Sequence, residues 1–360
     1  MATIILGNGN DLTVYDDNSN TDTIIVGNGV NDMVSANSSS YDTIHLGGGA
    51  GDSVSSVGGY HDKITLRNGA GDSVSADASS YDTITLGNGV GDTVTADEGG
   101  YCTIAVGNGA RDAVNASFTS HDAITLGNGV GDTVSAGRSS YETIILGNGA
   151  GDTVGVGGFG ALGNSVVVGN GAGDNVHFVG DHGSLKVGNG SGDTAFVGFN
   201  DNTITLGNGN GDVVTTEDAI DNAIALGNGN GDVVNDSSGN NNTIAVGNGN
   251  DTVYGGANDT ITVGNGNDQL FAAPGDVWTV GRGHDTFTFN AGFGANTITD
   301  FSTSHDVLQL ASVLFPNYAT VMADTQQIGA NTVITSSAND TITLTGVAAS
   351  HLTASNFKFT

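Results

Sequence analysis

Asp32, Asp52, Asp72, Asp92, Asp112, Asp132 and Asp152 stand twenty residues apart, and each closes a glycine-rich turn. Gly87-Asn88-Gly89-Val90-Gly91-Asp92 is the cleanest copy. A fixed period of this size predicts a solenoid, in which one repeat is one rung and equivalent positions stack. The aspartates then form a physical row of carboxylates. Stacked strands lie roughly 4.8 Å apart, where two unit charges repel by about 0.9 kcal/mol in water and more in a drier site. Something must neutralise, space or hydrogen-bond this row.

The rest of the repeat predicts the rung. Ile84 and Leu86 alternate with Thr83 and Thr85, and Val94 and Ala96 alternate with Thr93 and Thr95. Period-two alternation in β-branched residues is a strand signal. Ile24, Ile44, Ile64, Ile84, Ile104, Ile124 and Ile144 form one apolar column, and Val34 to Val154 form another at the same period. The expected fold is therefore all-β: a thin, two-sided parallel β-solenoid whose rungs of about twenty residues carry two short strands and two turns.

Composition narrows the function classes. The 360 residues include 60 Gly and only 2 Pro, and the net charge is −31, from 7 Lys+Arg against 38 Asp+Glu. Glu98, Glu142 and Glu217 are the only glutamates, so the acidity is almost wholly aspartate. Aspartate concentrated at turns points to Asx-turn chemistry or to calcium ligation. The charge argues against nucleic acid and anionic membranes as partners. No apolar run reaches membrane-span length. One cysteine, Cys102, excludes an intramolecular disulfide. Met1-Ala2-Thr3-Ile4-Ile5-Leu6 leads straight into a repeat, so no N-terminal signal peptide is expected.

The rhythm changes along the chain. From Gly155 to Asp201 it is disturbed: the Asp152–Asp174 interval is 22 residues and the Asp174–Asp193 interval 19. The regular beat returns from Asp212 to Asp232. From Gly247 the spacing shortens, with Asp251, Asp268 and Asp285 17 residues apart. After about Asn296 the repeat gives way to a tail of alternating runs, read as a small β cap. The expected domains are 1–241, the long-period solenoid; 242–296, a short-period β-roll; and 297–360, the C-terminal cap.

The short turns carry a motif. Gly247-Asn248-Gly249-Asn250-Asp251-Thr252-Val253, Gly264 to Leu270 and Gly281 to Phe287 follow Gly-x-Gly-x-Asp-x-U, with U a large apolar residue. Gly7 to Asp11 reads the same way, and Gly256-Ala257-Asn258-Asp259-Thr260-Ile261 is a shortened copy. Glycines let turn carbonyls point inward, aspartate adds a carboxylate, and calcium accepts six to eight such oxygens. In these residues the chain resembles the RTX family of secreted bacterial calcium-binding proteins. The tail is similar to serralysin-type C-terminal regions, in Thr297-Ile298-Thr299-Asp300-Phe301, His305 to Leu310, Thr332 to Val347 and Asn356-Phe357-Lys358-Phe359-Thr360. The resemblance covers roughly residues 242–360. It implies calcium as cofactor, held by Gly247, Gly249, Asp251, Asp259, Gly264, Gly266, Asp268, Gly281, Gly283 and Asp285. It also implies type I secretion by an uncleaved C-terminal signal to an extracellular location.

In the twenty-residue repeats the turn is one residue longer, which leaves two readings of Asp32 to Asp152: calcium ligands, or caps that accept backbone N–H bonds of their own turns. The second column (Asp22, Asp42, Asp62, Asp82, Cys102, Asp122, Glu142) is interrupted by a thiol, a poor ligand for a hard cation, and reads as capping the turn before the Thr-Ile strand.

Three further features bear on function. Tyr41, His61, Tyr81, Tyr101, His121 and Tyr141 share a column that can stack on sugar rings or on itself. His45, His61, Lys63 and Arg67, and separately His177, Asp181, His182 and Lys186, are the places to look for a polysaccharide lyase or hydrolase. Outward Thr-x-Thr pairs such as Thr83/Thr85, Thr203/Thr205 and Thr260/Thr262 suggest an ice-binding face, but His45, Lys63, Ala105, Ala123 and Ile145 interrupt it. The leading reading is a secreted, calcium-binding structural or adhesive protein. Polysaccharide-active enzyme and ice-binding solenoid are the alternatives, with extracellular polysaccharide and end-to-end self-association as expected partners.

Overall fold

Residues 2–337 and 339–360 are described by a computed structural model. Met1 and Ala338 lie outside it. The chain is an all-β parallel solenoid that divides into two compact units, Met1–Gly190 and Ser191–Thr360.

In the first unit each rung contributes one strand to each of two parallel sheets. The Thr-Ile strands pair in register, Ile24 with Ile44, Ile44 with Ile64 and Ile64 with Ile84. The Val strands do the same, Val54 with Val74 and Val74 with Val94. The alternation seen in the sequence becomes burial: Ile84, Leu86, Val94 and Ala96 are at most 2 % exposed, while Thr83 and Thr93 face out. A two-residue-wide apolar strip from each sheet is all that one rung buries, so stacking supplies the core.

The disturbed stretch is a local change of rung shape. Thr153–Leu162 is a ten-residue strand that pairs with Asn175–Asp181 and shifts register between Gly157 and Leu162. Gly157 is needed there. Its φ is +82°, and a β-carbon on it would lie 1.7 Å from the Val179 carbonyl oxygen.

In the second unit each rung again contributes one strand to each of two parallel sheets, at both periods. Ile244, Ile261 and Trp278 stack on one side, and Val253, Leu270 and Phe287 on the other. Trp278 and Phe287 meet edge to face across the core, 6.2 Å apart. Rungs persist beyond Asn296: Val307–Leu310 pairs in parallel with Thr286–Phe289, and Phe357–Phe359 adds alongside Val307–Leu310. The cap is an antiparallel element, Thr325–Ile328 with Asn331–Thr335 and then Thr341–Leu344, which joins Ala295–Ile298 in parallel. A six-residue helix, Tyr318–Ala323, starts at Asn317, whose Oδ1 accepts the Thr320 N–H at 3.1 Å.

Candidate metal centre in the glycine turns

From Asp32 onward the glycine turns end on an aspartate that points inward. Asp32, Asp52, Asp72, Asp92, Asp112 and Asp132 are fully buried. Their carboxylates do not cap their own turns, as the capping reading expected. Instead Oδ1 reaches back one rung: the N–H of Asp32 donates to Asp52 at 3.0 Å, that of Asp52 to Asp72 at 3.0 Å and that of Asp92 to Asp112 at 3.0 Å. The ladder has the same form in the second unit, where Asp212 donates to Asp232 at 3.0 Å, Asp251 to Asp268 at 2.8 Å and Asp268 to Asp285 at 2.9 Å. The N–H of Asp285 donates to Asp306 at 3.2 Å, so the ladder outlasts the short-period motif.

The second oxygen has nothing to accept. Oδ2 of Asp32, Asp52, Asp72, Asp92, Asp112, Asp132 and Asp152, and of Asp212, Asp232, Asp251, Asp268 and Asp285, is inaccessible and lacks a hydrogen-bond partner. Leaving such an oxygen unsatisfied costs about 1–3 kcal/mol, more when it is charged. A second acceptor stands beside it. A β-carbon on Gly89 would lie 1.6 Å from the Gly69 carbonyl oxygen and 2.6 Å from both carboxylate oxygens of Asp92, so these oxygens converge on one face of Gly89. Gly69 is buried, and its carbonyl accepts no hydrogen bond.

The extra residue of the long turn does not disturb this arrangement. Gly51, Gly71, Gly91 and Gly131, each just before the aspartate, sit at φ between 71° and 75°. That left-handed residue loops the surplus outward and returns the aspartate to its place. On the short turn, a β-carbon on Gly249 would lie 2.0 Å from the Gly229 carbonyl oxygen and 2.7 Å from Asp251, nearly the geometry of Gly89. Gly266 approaches the Gly249 carbonyl, and Gly283 that of Gly266, at 1.4 Å on the same construction. Gly247, Gly264 and Gly281 form the outer strand of the turn: the Gly264 N–H donates to Gly247 and the Gly281 N–H to Gly264, both at 3.1 Å. The long and short turns therefore belong to one ladder.

Two sequence assignments change. Asp11 is not a ladder member: it takes the left-handed position at φ 55°, and Leu12 occupies the rung, its N–H donating to Asp32 at 2.9 Å. Asp259 lies in the opposite turn, away from Asp251 and Asp268. Its Oδ1 accepts the Asn242 N–H at 2.9 Å and its Oδ2 the Gly256 N–H at 2.7 Å.

The opposite turns carry a ladder of different chemistry. Asp42 donates its N–H to Asp62 and Asp62 to Asp82, but the acceptor is Glu142 for Asp122, Asn164 for Glu142 and Asn222 for Asn202. Neutral amides serve as well as carboxylates here. The second oxygen is commonly satisfied: Ser79 Oγ donates to Asp82 Oδ2 at 2.5 Å, and the Ala273 N–H to Asp276 Oδ2 at 2.8 Å. The glycine-turn ladder, by contrast, keeps a carboxylate from rung to rung and leaves its outer oxygen unmet from Asp32 to Asp152 and from Asp212 to Asp285.

Burial makes this ladder expensive to ionise. Desolvation, followed by the carboxylates above and below, pushes Asp72 and Asp268 up to about 7. It pushes Asp92, Asp132, Asp212 and Asp285 up to about 6. A cation would relieve both causes. The donors are all oxygen, carboxylate and carbonyl, the set that suits calcium and not softer metals.

Outside the turns the other candidates separate. Tyr81, Tyr101, His121 and Tyr141 stack face to face at 4.7–4.9 Å, so within the ladder each ring face meets another ring instead of standing open to a sugar. All six members from Tyr41 to Tyr141 sit at φ between 60° and 63°, a conformation costly for a bulky residue that the stacking offsets. His61 belongs to this ladder, between Tyr41 and Tyr81, whereas His45 and Lys63 lie on the outer face of the Thr-Ile sheet. His177 and Lys186 face solvent from different sheets. Burial, then the charges of Lys63 and Arg67, disfavour protonation of His45, while His61 stands apart in the aromatic ladder. The threonine face is broken in register, Thr43 beside Lys63 and Thr103 beside Ala123.

One device went unread in the sequence although its period is visible there. Asn68, Asn88, Asn108, Asn128 and Asn148 form an outer ladder running the opposite way, the N–H of each from Asn88 onward donating to the Oδ1 of the rung before at 2.8–2.9 Å. No protein-family model matches the chain, and no curated protein matches it in sequence.

Proposed function

We propose that this protein is a structural solenoid stiffened by calcium, whose ions are held along the glycine turns by the outer oxygens of the aspartate ladder and the adjacent glycine carbonyls. The fold itself fits a structural repeat protein. One observation carries the metal: the glycine-turn ladder retains a buried, unpartnered carboxylate oxygen on rung after rung, whereas the opposite ladder does the same backbone hydrogen bonding with asparagine on several of its rungs. If backbone capping were the whole role, asparagine would serve in both.

Asp251, Asp268 and Asp285, with Gly247, Gly249, Gly264, Gly266, Gly281 and Gly283, belong to this set. Asp259 does not, because it lies in the opposite turn, away from Asp251 and Asp268. The likeness of long and short turns extends the set to Asp32–Asp152 and Asp212–Asp232. Metal binding and folding then form one equilibrium. A chain carrying 31 excess negative charges is weakened without calcium and strengthened where calcium is plentiful, which suits export followed by folding outside the cell. A role at the cell surface or in a matrix, in contact with polysaccharide, follows from the same reading.

Calcium titration by calorimetry tests this, with thermal melts followed by circular dichroism in calcium and in excess chelator. The reading expects a site count on the order of ten, near one per turn, and a large fall in melting temperature with chelator. An unchanged melt, or a count confined to the three short turns, would refute it.

A further inference from the structure

In one of the opposite turns hydrogen bonding fails at two neighbouring carboxylates. In most rungs the inward residue that follows the Val strand is small: Ala36, Ala76, Ala96, Ala116 and Ala136. At Ser56 it is a donor, and its Oγ gives a 2.6 Å hydrogen bond to Oδ2 of Asp62, six residues on. The second unit builds the same pair with roles reversed. Asp236 stands in the serine position, and Asn242, six residues on, donates its Nδ2 to Asp236 Oδ2 at 2.8 Å, while the Thr216 hydroxyl serves the other oxygen. Each pair joins one donor to one acceptor.

Asp16 and Asp22 make the same six-residue pair from two acceptors. Asp42, one rung on, completes a triad whose carboxylate oxygens lie within 4.8 Å of one another. Asp42 is 1 % exposed, and its Oδ2 has no partner. Asp16 Oδ2 is likewise inaccessible and unpartnered. The nearby hydroxyl that could have served is already used: Ser39 Oγ donates to the Asp16 carbonyl at 2.8 Å. Asp22 accepts from the Ser19 hydroxyl and the Ala2 N–H.

We propose that Asp16, Asp22 and Asp42 form a separate site for a hard divalent cation, calcium in the first instance, in the turn opposite the glycine turns. The ligand class follows from three carboxylates with no nitrogen or sulfur among them. The site rests on its own residues and does not depend on the glycine-turn ladder.

Hydrogen exchange by mass spectrometry on the full chain separates the two. Peptides within residues 13–42 and 247–285 are followed in chelator and in calcium, for the native protein and for Asp16→Asn and Asp16→Ala. Asparagine supplies the missing donor, as Asn242 does, and alanine is the residue of the neighbouring rungs, so both variants should fold. In the native protein calcium at ten times its Kd should slow exchange in 13–42 about tenfold. In both variants that increment should fall to what the Asp32 turn alone confers, while any calcium response in 247–285 stays as it was. Equal calcium protection of 13–42 in native and variant proteins overturns the site. So does protection that follows pH but not calcium, which would mean a shared proton. Protection of 13–42 without any response in 247–285 would support this site and defeat the glycine-turn reading.

Discussion

The backbone N–H of Asp72 donates to Oδ1 of Asp92, 3.1 Å away and one rung along the chain. One carboxylate oxygen thus closes the hydrogen bonding of the turn below, and the other, Oδ2, is left without a partner. The two oxygens can be tested apart. Asp92→Asn keeps an acceptor and removes the charge. In chelator at pH 7.5 it should be as stable as the native protein or slightly more so, and in calcium it should lose part of the stabilisation calcium confers. Asp92→Ala removes the acceptor as well and strands the buried Asp72 N–H, at a cost of about 1–3 kcal/mol with or without calcium. Urea denaturation of both variants in both conditions checks this. Identical behaviour of asparagine and aspartate in calcium would remove the charge from the argument.

The pH dependence should run opposite to that of a protein rich in ion-paired carboxylates. Burial raises Asp72 and Asp268 to about 7 and Asp92, Asp132 and Asp285 to about 6, above the unfolded value near 3.9. Between those limits the folded chain binds more protons than the unfolded one, so stability falls as pH rises. The metal-free protein should therefore have its highest contribution from these groups below about pH 4 and lose it on passing from pH 5 to pH 8. Calcium should reverse the trend above pH 7, and its binding near pH 6 should release protons. Melting temperatures at four pH values, with and without calcium, decide it. A chelated protein that melts higher at pH 8 than at pH 5 would contradict the burial of the ladder.

Much of this was legible before any coordinates. The Ile24 and Val34 columns gave both sheets, their register and their inward faces, because a fixed period forces like residues to stack. The ladder of Asp32 to Asp152 was visible for the same reason. Hidden from the period was the sign of φ: nothing in the letters says that Gly91 takes the left-handed conformation and loops out, so whether the long turn places Asp92 as the short turn places Asp251 stayed open. The same blindness put Asp11 in the ladder in place of Leu12. Asp259 was misassigned because a shortened motif resembles a glycine turn locally, whereas its side of the solenoid is set by counting rungs. Asp16 stood out in no column, since its neighbours there are alanine and serine. Its significance lies in an acceptor facing acceptors, which only the packing discloses.

Gly89 and Gly91 are two residues apart and should respond differently to alanine. A β-carbon on Gly89 meets the Gly69 carbonyl at 1.6 Å and the Asp92 carboxylate at 2.6 Å, and backbone from the adjoining rung cannot step aside. Gly91→Ala meets open space and suffers only from its φ of +75°, a cost of about 1–2 kcal/mol. Gly89→Ala should cost well above that and should also abolish calcium binding at its own turn. Arg111 and Asn31 already occupy the Gly91 position with left-handed φ of 63° and 57°, which shows the tolerance expected there. Chemical denaturation of the two single variants gives the comparison, and equal losses would mean that the rungs part more easily than their packing implies.

Cys102 offers the last test, because it breaks the opposite ladder at one rung. Its thiol faces the Asp82 N–H where every neighbouring rung presents an oxygen, while its own N–H still donates to Asp122 Oδ1 at 2.8 Å. Burial, then the charge of Asp122, pushes the thiol up to about 12, and its side chain is 1 % exposed. It should react with thiol reagents only when the rung opens, so the labelling rate in calcium and in chelator reads the stability of this turn directly. Cys102→Asn restores the acceptor. Its amide nitrogen can also reach a turn carbonyl of the preceding rung, as Asn222 reaches Phe199 at 2.9 Å and Asn242 reaches Ala219 at 3.0 Å. The gain should be about 0.5–1.5 kcal/mol, the worth of one added hydrogen bond. Cys102→Asp should gain less at pH 8 than asparagine does, because it inserts a charge between Asp82 and Asp122. The order asparagine, then aspartate, then cysteine would establish that this ladder needs acceptors and not charge; aspartate ranking first in calcium would mean that the opposite turns bind metal as well.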